Sequence, residues 1–252
     1  MIRSTLERAS RRVVLKRRLP EHYGGCRMYV TPDAGLRYWR SNFENIDRFL
    51  LQRAVELTRR GAVIWDVGAN VGLFSFAAAG LAGPQGKVFA IEPDVEMVKL
   101  LRRSAHSNNG STAPVEVLPV AVSDHVGIER FLIAVRSRSA NFLEGHGTTQ
   151  TGGVRERQSV MSVTLDWLAE RLPAPDVLKI DAEAAEARIL SAAHELLSKH
   201  RPVILAEVSA DSVPRVTEIL KEHNYQILDA ATEPIKRKPL DEAPWDTLAV
   251  PR

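Results

Sequence analysis

Short, apolar, β-branched runs alternate along this chain with segments whose apolar residues recur at helical spacing. Such runs suit strands that are buried on both faces of a parallel sheet. The runs are VIWDV, KVFAIEP, VEVLPVAVSD, DVLKID and PVILAEV, and the helical segments include DVEMVKLLRRSAHSN, AEARILSAAHELLSKH and SVPRVTEILKEHN. The alternation predicts an α/β fold with a doubly wound, Rossmann-like, mostly parallel sheet.

A further helix is predicted before the first strand. Its apolar residues follow helical spacing, and Gly61 stands where a helix end often needs positive φ. The apolar positions are Phe43, Ile46, Phe49, Leu50, Val55 and Leu57.

Two segments depart from the alternation. Between Gly127 and Val163 there is no helical pattern, and IERFLIAV and RQSVMSVTL are typical of strands around a Ser/Gly/Thr-rich stretch at 137–153. This pattern predicts a β-rich insertion, with 137–153 as its substrate loop. Near the end of the chain, YQILDA and TLAV predict an antiparallel pair that closes the sheet.

Length and composition favour one decorated domain. The 252 residues, 44% of them hydrophobic, suffice for one large core but fall short of two full-sized domains. We divide the chain into a basic extension at 1–42 and a domain at 43–252. The first eighteen residues carry seven bases and one acid. We interpret them as a solvated face, with contact to acidic lipid or a cover over the active site as alternatives.

Charge, cysteine usage and hydropathy limit the setting in which the protein works. The 34 basic and 31 acidic residues nearly cancel, so a net charge of +3 is weak support for nucleic-acid binding. The single cysteine, Cys26, excludes an intramolecular disulfide and fits a reducing compartment. No apolar run approaches the roughly 18 residues of a membrane-spanning helix, and a secretion signal is missing. These features predict a soluble, cytoplasmic protein whose oligomeric state stays open.

The most specific motif is DVGANVG, from Asp66 to Gly72, at the junction of the first strand and the next helix. Gly68 has no Cβ and allows a ligand to approach the backbone, while Gly72 allows the helix to pack closely on the strand. The N–H groups of the helix N-terminus suit a carboxylate or phosphate. A tight strand-to-helix turn without a ligand is the alternative.

A second acid makes a nucleoside-containing ligand the better interpretation. Glu92 ends the next strand, twenty residues after Gly72, where a carboxylate can accept hydrogen bonds from two ribose hydroxyls. A dinucleotide site fits less well, because Asn70 replaces the second glycine of G-x-G-x-x-G. No Gly-Lys-Ser/Thr element follows a strand, so P-loop chemistry is not expected.

These motifs, together with others in the same order, resemble the FkbM family of S-adenosylmethionine-dependent methyltransferases. The resemblance covers about Phe43 to Val208 and rests on DVGANVG, IEP (Ile91 to Pro93), AVSD (Ala121 to Asp124), TLD (Thr164 to Asp166), KIDAEAAE (Lys179 to Glu186) and RPVILAEV (Arg201 to Val208). It implies a class I methyltransferase fold, bound S-adenosylmethionine, and methyl transfer to a hydroxyl of a sugar, glycolipid, polyketide or other secondary metabolite.

The resemblance also implies roles for single residues. The methionine end of the cofactor would be held by Asp66, Gly68, Asn70 and Gly72, and the ribose by Glu92. Asp124 would lie near the adenine. An equally good alternative is that Asp124 is only a turn residue before Gly127.

One position departs from the family pattern. The family usually has glycine after the glutamate of K-I-D-x-E, whereas this chain has Ala184. We expect the turn after Asp181 to be already helical, which alanine tolerates well, with a reshaped site as the alternative.

Three carboxylates and one histidine are the candidates for catalysis. Asp181 and Glu207 follow or end buried strands, where acids are poor strand residues, and Glu183 follows closely. A carboxylate here could act as base or orienter for the acceptor hydroxyl, and Asp181, Glu183 and Glu207 could ligate Mg²⁺ if their loops converge. His146 could be a base or a surface residue.

Charged neighbours of these candidates have simpler interpretations. We interpret Glu186 as a favourable negative charge in the first turn of a helix rather than as a catalytic residue. For Arg136 and Arg138, solvation is simpler than binding of an acidic substrate.

Two other functions stay open. A nucleic-acid methyltransferase is supported by the basic amino terminus, but DAEA stands where a base-methylating enzyme has an Asn-Pro-Pro-Tyr-like segment with an aromatic for stacking. A non-catalytic binding module on the same fold is the second, with Ala184 as its main support.

Overall fold

The computed structural model describes residues 13–41, 46–108, 110–145 and 152–252. The strands in these ranges are, in chain order, β1 (Leu15–Arg18), β2 (Arg27–Val30), β3 (Val63–Val67), β4 (Lys87–Ile91), β5 (Val115–Leu118), β6 (Ala121–Val122), β7 (Gly127–Ala134), β8 (Phe142–Leu143), β9 (Val154–Val163), β10 (Val177–Ile180), β11 (Val203–Glu207), β12 (Tyr225–Asp229) and β13 (Asp246–Pro251).

Six α-helices lie in the same ranges, and short 3₁₀ turns join several elements. The helices are α1 (Arg48–Leu57), α2 (Leu73–Ala82), α3 (Val95–His106), α4 (Leu165–Ala169), α5 (Glu186–Ser191) and α6 (Val213–Glu222). A π-helical turn covers Leu196–His200, and 3₁₀ turns include Leu36–Trp39 and Arg138–Ala140. No helix in the described part of the chain is long and apolar enough to cross a membrane.

The central sheet has the strand order β12-β13-β11-β10-β3-β4-β5. Neighbours from β11 through β5 are parallel, and β13 is antiparallel to both β11 and β12. Successive residues of a strand face opposite layers, so Ile64 packs in one hydrophobic core and Trp65 in the other. The predicted doubly wound sheet with an antiparallel closing strand is confirmed.

The predicted β-rich insertion is confirmed as a separate four-stranded sheet, in the order β6-β9-β7-β8. The segment VEVLPVAVSD, predicted as one strand, is divided between the two sheets. Pro119 has no N–H for a ladder, and Val120 N–H donates to the Leu118 carbonyl at 2.9 Å, which turns the chain between β5 and β6.

The described part of the N-terminal extension forms a hairpin on the domain. β1 and β2 pair antiparallel, and the Tyr29 N–H donates to Ser104 Oγ of α3 at 2.8 Å. Met28 and Val30 are fully buried in the same core as Leu101. Residues 13–41 therefore contribute side chains to the core of the domain.

Two predicted helices are shorter than their patterns. α1 begins after Asp47, whose carboxylate accepts the Leu50 N–H at 3.1 Å, and Phe43 lies outside the described residues. The pattern AEARILSAAHELLSKH is divided into α5 and the π-helical turn. The sequence pattern therefore located both helices but overestimated their regular length.

Candidate active site

A cavity of about 310 Å³ lies at the carboxyl ends of β3, β4 and β10. Ligands of open α/β sheets bind at this edge. Its walls come from the turn after β3, the segment after β10, and residues 138–143 at the start of the predicted substrate loop. A smaller cavity of about 120 Å³ adjoins it, and both are lined by Arg37, Leu50, Lys179, Asp181 and Glu207.

The two glycines of the turn after β3 serve different purposes. Gly68 has φ 72° and lines the large cavity, and a Cβ there would stand 1.8 Å from the Asp181 carbonyl oxygen. Gly72 has φ 86°, and a Cβ there would stand 2.7 Å from side-chain atoms of Leu101 and Phe76. Gly68 thus permits the close approach of two strand ends, and Gly72, which is not among the lining residues, permits helix packing.

Asn70 and Glu92 meet at the adjacent corner of the cavity. The Asn70 N–H donates to Glu92 Oε2 and the Asp94 N–H donates to Glu92 Oε1, both at 2.8 Å. Burial raises the pKa of Glu92 to about 7. Asn70 Oδ1 is buried and has no hydrogen-bond partner among the described residues. This corner therefore holds one carboxylate and one amide oxygen with unused acceptor capacity.

Asp66 is fully buried beneath the turn and has two partners. Ser75 Oγ donates to Asp66 Oδ2 at 2.5 Å, and Lys179 Nζ lies 3.1 Å from Asp66 Oδ1. Lys179 also donates to the Gly68 carbonyl at 2.9 Å and lies 3.4 Å from Asp181 Oδ2. The sequence motifs predicted no role for Lys179. A lysine inside the buried run VLKI was the available signal.

The charge of Lys179 is fixed by its surroundings. Burial lowers its pKa, but the neighbouring Asp66 and Asp181 carboxylates outweigh that effect and raise the pKa above its usual value. Lys179 therefore remains an ammonium ion that joins the turn after β3 to the segment after β10.

The three candidate carboxylates line the large cavity together. Asp181 has a side chain that is 39% exposed, and its N–H donates to the Val67 carbonyl at 3.1 Å. Desolvation, followed by the charge of Asp181, raises the pKa of Glu183 to about 8 and that of Glu207 to about 7. Glu183 and Glu207 thus change charge close to neutral pH. His146 lies outside the described residues.

The turn after Asp181 is not helical, so that expectation is wrong. Glu183 has φ 44° and Ala184 has φ 72°, and α5 begins only at Glu186. Ala184 therefore adopts the left-handed conformation in which glycine is favoured, at a cost of roughly 1–2 kcal/mol. Glu186 stabilises the turn, because its Oε1 accepts the Ala184 N–H at 3.0 Å.

Glu186 does more than place charge in the first helical turn. Its side chain is buried, and its Oε2 accepts a hydrogen bond from Ser209 Oγ at 3.2 Å. Burial raises the pKa of Glu186. The residue links the start of α5 to the loop after β11.

Asp124 lies apart from the cavity lining. Arg188 donates to both of its carboxylate oxygens, at 2.9 Å to Oδ2 and 2.5 Å to Oδ1. This hydrogen bonding keeps the pKa of Asp124 well below its usual range. The cavity wall on this side is formed instead by Ala121 and Val122. The structure thus gives Asp124 a partner in α5 and no contact with the cavity.

Arg138 is not a solvated arginine, and that interpretation is wrong. Its side chain is 11% exposed and pairs with Asp33 and Asp94. Asn141 Nδ2 also donates to Asp94 Oδ2 at 2.8 Å. The start of the predicted substrate loop is therefore joined to α3 and to the segment that follows the N-terminal hairpin.

Comparison with known proteins identifies the family. Residues 66–227 match the family described as the methyltransferase FkbM domain. The chain belongs to this family.

Individual FkbM-type relatives cover most of the chain. The hexuronic acid methyltransferase AglP of Haloferax volcanii is 28% identical over 182 residues, 71% of this chain and 68% of AglP. The 31-O-demethyl-FK506 methyltransferase FkbM of Streptomyces tacrolimicus is 29% identical and covers 72% of this chain and 79% of the relative. The solved structure of methyltransferase FkbM from Methylobacillus flagellatus matches with a TM-score of 0.46 and 17% identity, over 86% of this chain and 57% of that one.

As a member of the FkbM family, the chain is an S-adenosylmethionine-dependent methyltransferase with a class I fold. The cavity fits this cofactor at one decisive point. The Oδ1 of Asn70, which has no partner among the described residues, and the carboxylate of Glu92 supply hydrogen-bond acceptors at the carboxyl ends of adjacent strands. The cofactor carries an ammonium group and two ribose hydroxyls, which are donors.

A metal fits less well. Among the described residues, Asp181, Glu183 and Glu207 do not form a group whose ligand atoms all lie within 4.8 Å of one another. Asp124, His125 and Glu129 do form such a group, but Arg188 already pairs with both acids of that cluster. The convergence that the Mg²⁺ hypothesis required is therefore not found in the described structure.

Proposed function

We propose that this methyltransferase transfers the methyl group of S-adenosylmethionine to a hydroxyl oxygen of a small molecule, such as a sugar, glycolipid, polyketide or other secondary metabolite. The observation that carries the proposal is that Asp181, Glu183 and Glu207 line the same cavity as Asn70 and Glu92. The relatives add support, since one is named a hexuronic acid methyltransferase and the other a 31-O-demethyl-FK506 methyltransferase.

In this proposal the turn after β3 and Glu92 hold the cofactor. Gly68 and Asn70 would receive its methionine end, Glu92 would accept hydrogen bonds from the ribose, and Asp66 and Gly72 would fix the turn from below. When bound, the cofactor supplies an electrophilic methyl group. We assign Asp124 an indirect role, as an anchor of the loop beside the adenine end.

The acceptor hydroxyl must lose its proton as it attacks, and a base works best when its pKa lies near the operating pH. Glu207, with a pKa of about 7, meets this condition and is our candidate base. Asp181, held by Lys179, would orient the hydroxyl. Glu183, with a pKa of about 8, would be mostly protonated at neutral pH and could donate a hydrogen bond. His146 is the alternative base.

The test is methyl transfer by the purified chain from isotopically labelled S-adenosylmethionine. The acceptors are a panel of sugars, glycolipids and polyketides, with RNA and DNA alongside, and mass spectrometry locates the label. Label on a small-molecule oxygen supports the proposal. Label on nucleic acid alone, or on nitrogen or carbon, contradicts it. Heat-treated protein serves as the blank.

A further inference from the structure

The smaller cavity, here called the acidic lobe, is lined by four carboxylates and two cations among its described residues. The carboxylates are Asp47, Asp181, Glu207 and Asp246, and the cations are Arg37 and Lys179. Phe49 and Leu50 add an apolar wall. Because Asp181 and Glu207 also line the large cavity, a molecule in the lobe would lie beside the candidate catalytic carboxylates.

Strand register gathers these acids at one edge of the sheet. Ile180 of β10 pairs with Ala206 of β11, so Asp181 and Glu207 follow at neighbouring strand ends. Glu207 is in turn the partner of Asp246, the first residue of β13. Three adjacent strands thus each place one acid in the lining of the lobe.

Each cation among the described residues that line either cavity already has a carboxylate partner. Arg37 Nη1 lies 2.6 Å from Asp47 Oδ2, and Lys179 is shared by Asp66 and Asp181. Arg138, which lines the large cavity, pairs with Asp33 and Asp94. An incoming anion would therefore have to compete for cations that are already neutralised.

Apart from Glu92, which accepts two backbone N–H groups and is assigned to the cofactor, three carboxylates of the two cavities lack such a partner among the described residues. Glu183, Glu207 and Asp246 form no ion pair with any residue in the described ranges. Their pKa values are all raised, first by desolvation and next by neighbouring acids. Above the pKa values of Glu183 and Glu207, the site therefore presents hydrogen-bond acceptors and excess negative charge to an acceptor molecule.

We propose that the acidic lobe receives a hydroxyl-rich acceptor that carries no anionic group, and that it discriminates against uronates and phosphorylated sugars. The inference rests on the proposed transfer to a hydroxyl. Hydroxyl groups donate to the unpartnered carboxylates, whereas a like charge opposed to them costs several kcal/mol. The charge on the acceptor is the property selected.

Saturation-transfer NMR on the full chain, saturated with S-adenosylhomocysteine, tests this selection. The probes are methyl glucoside, methyl glucuronide and methyl glucuronamide, the last having the shape of the uronate without its charge. Measured at about pH 8.5, above the pKa values of Glu183 and Glu207, the glucuronide should bind at least roughly tenfold more weakly than the amide.

Asp246→Asn removes one of the lobe charges, and Asp241→Asn removes an exposed charge outside it. We expect Asp246→Asn to narrow the preference for amide over glucuronide by about threefold or more, and Asp241→Asn to leave it unchanged. A glucuronide that binds as well as the amide in the native chain overturns the proposal.

Failure of all three sugars to bind also overturns the inference, because the hydroxyl-rich class would be wrong. Calorimetry with S-adenosylhomocysteine and the labelled methyl transfer to other alcohols still decide the proposed function in that case. A chain that binds the neutral sugars but methylates no alcohol contradicts the proposed function and leaves the selection against anions supported.

Discussion

Arg138 Nη1 lies 2.6 Å from Oδ2 and 2.7 Å from Oδ1 of Asp94, so one nitrogen holds both oxygens of a fully buried carboxylate. Asp94 also caps α3, since its Oδ1 accepts the Glu96 N–H at 2.9 Å, and its own N–H donates to Glu92. The insertion is thereby coupled to the residue proposed to bind the ribose.

Arg138→Met should destabilise the fold by about 3 kcal/mol, because breaking a buried ion pair leaves uncompensated charge on Asp94, while Asp33 keeps its pair with Arg155. The measurement is the free energy of unfolding in urea. Arg157→Met is the matched control. Arg157 is 62% exposed and stands 3.9 Å from Glu144, so its loss should change stability by less than about 0.5 kcal/mol. Equal effects of the two substitutions would refute a special role for Arg138.

Ala184→Gly should stabilise the protein by about 0.5–1 kcal/mol. The substitution relieves the positive φ of 72°, and this gain exceeds the entropy that glycine loses on folding. Ala187→Gly, in α5 and outside the positive-φ positions, should instead destabilise by roughly 0.5–1 kcal/mol. Thermal and urea unfolding check both, and a destabilised Ala184→Gly would show that the turn imposes no strain.

Glu92→Gln should weaken S-adenosylmethionine binding by about 1.5 kcal/mol, because a charge-assisted acceptor is lost. Since the pKa of Glu92 is about 7 and ribose hydroxyls favour the ionised form, the native affinity should rise as pH increases through 7. Calorimetry measures both effects. Glu96→Gln, at an exposed position of α3, is the control, and unchanged affinity in Glu92→Gln would remove Glu92 from the site.

Turnover should increase as pH rises through about 7, because Glu207 is protonated below its raised pKa and then cannot accept a proton. Glu207→Gln should abolish this rise of turnover with pH and reduce kcat while leaving cofactor affinity unchanged. Glu183→Gln is the informative comparison, since a rise of turnover caused by Glu183 would lie near pH 8. If turnover still rises with pH in Glu207→Gln but no longer does so in Glu183→Gln, Glu183 is the base.

The sheet and the cofactor motifs could be predicted because their signals are local. Each buried strand is a contiguous apolar run, and the turn after β3 is contained within DVGANVG. The hairpin of β1 and β2 gave a weaker signal in the sequence, since LKRR of β1 places three charges in four residues. The hairpin is held on the domain by a contact between β2 and α3, which are distant in the chain.

The ion-pair networks could not be predicted because their partners are distant in the chain. Arg138 is 44 residues from Asp94 and 105 from Asp33, and Arg188 is 64 from Asp124. Only the fold decides which acid an arginine meets. The same reason hid the role of Lys179, which lies 113 residues after Asp66.

Asp181→Asn should reduce methyl transfer by about 10²-fold under saturating cofactor, the loss expected when the acceptor hydroxyl is no longer oriented, while cofactor affinity is spared. The carboxylate stands at the end of β10, where both cavities meet, and lies 3.4 Å from the ammonium of Lys179. Asparagine keeps the shape of the side chain and removes its charge. Asp211→Asn, a change at an exposed position after β11, controls for nonspecific effects. Native turnover in Asp181→Asn would direct attention to Glu207 or His146, whereas near-total loss of S-adenosylmethionine binding would make Asp181 a cofactor-binding residue.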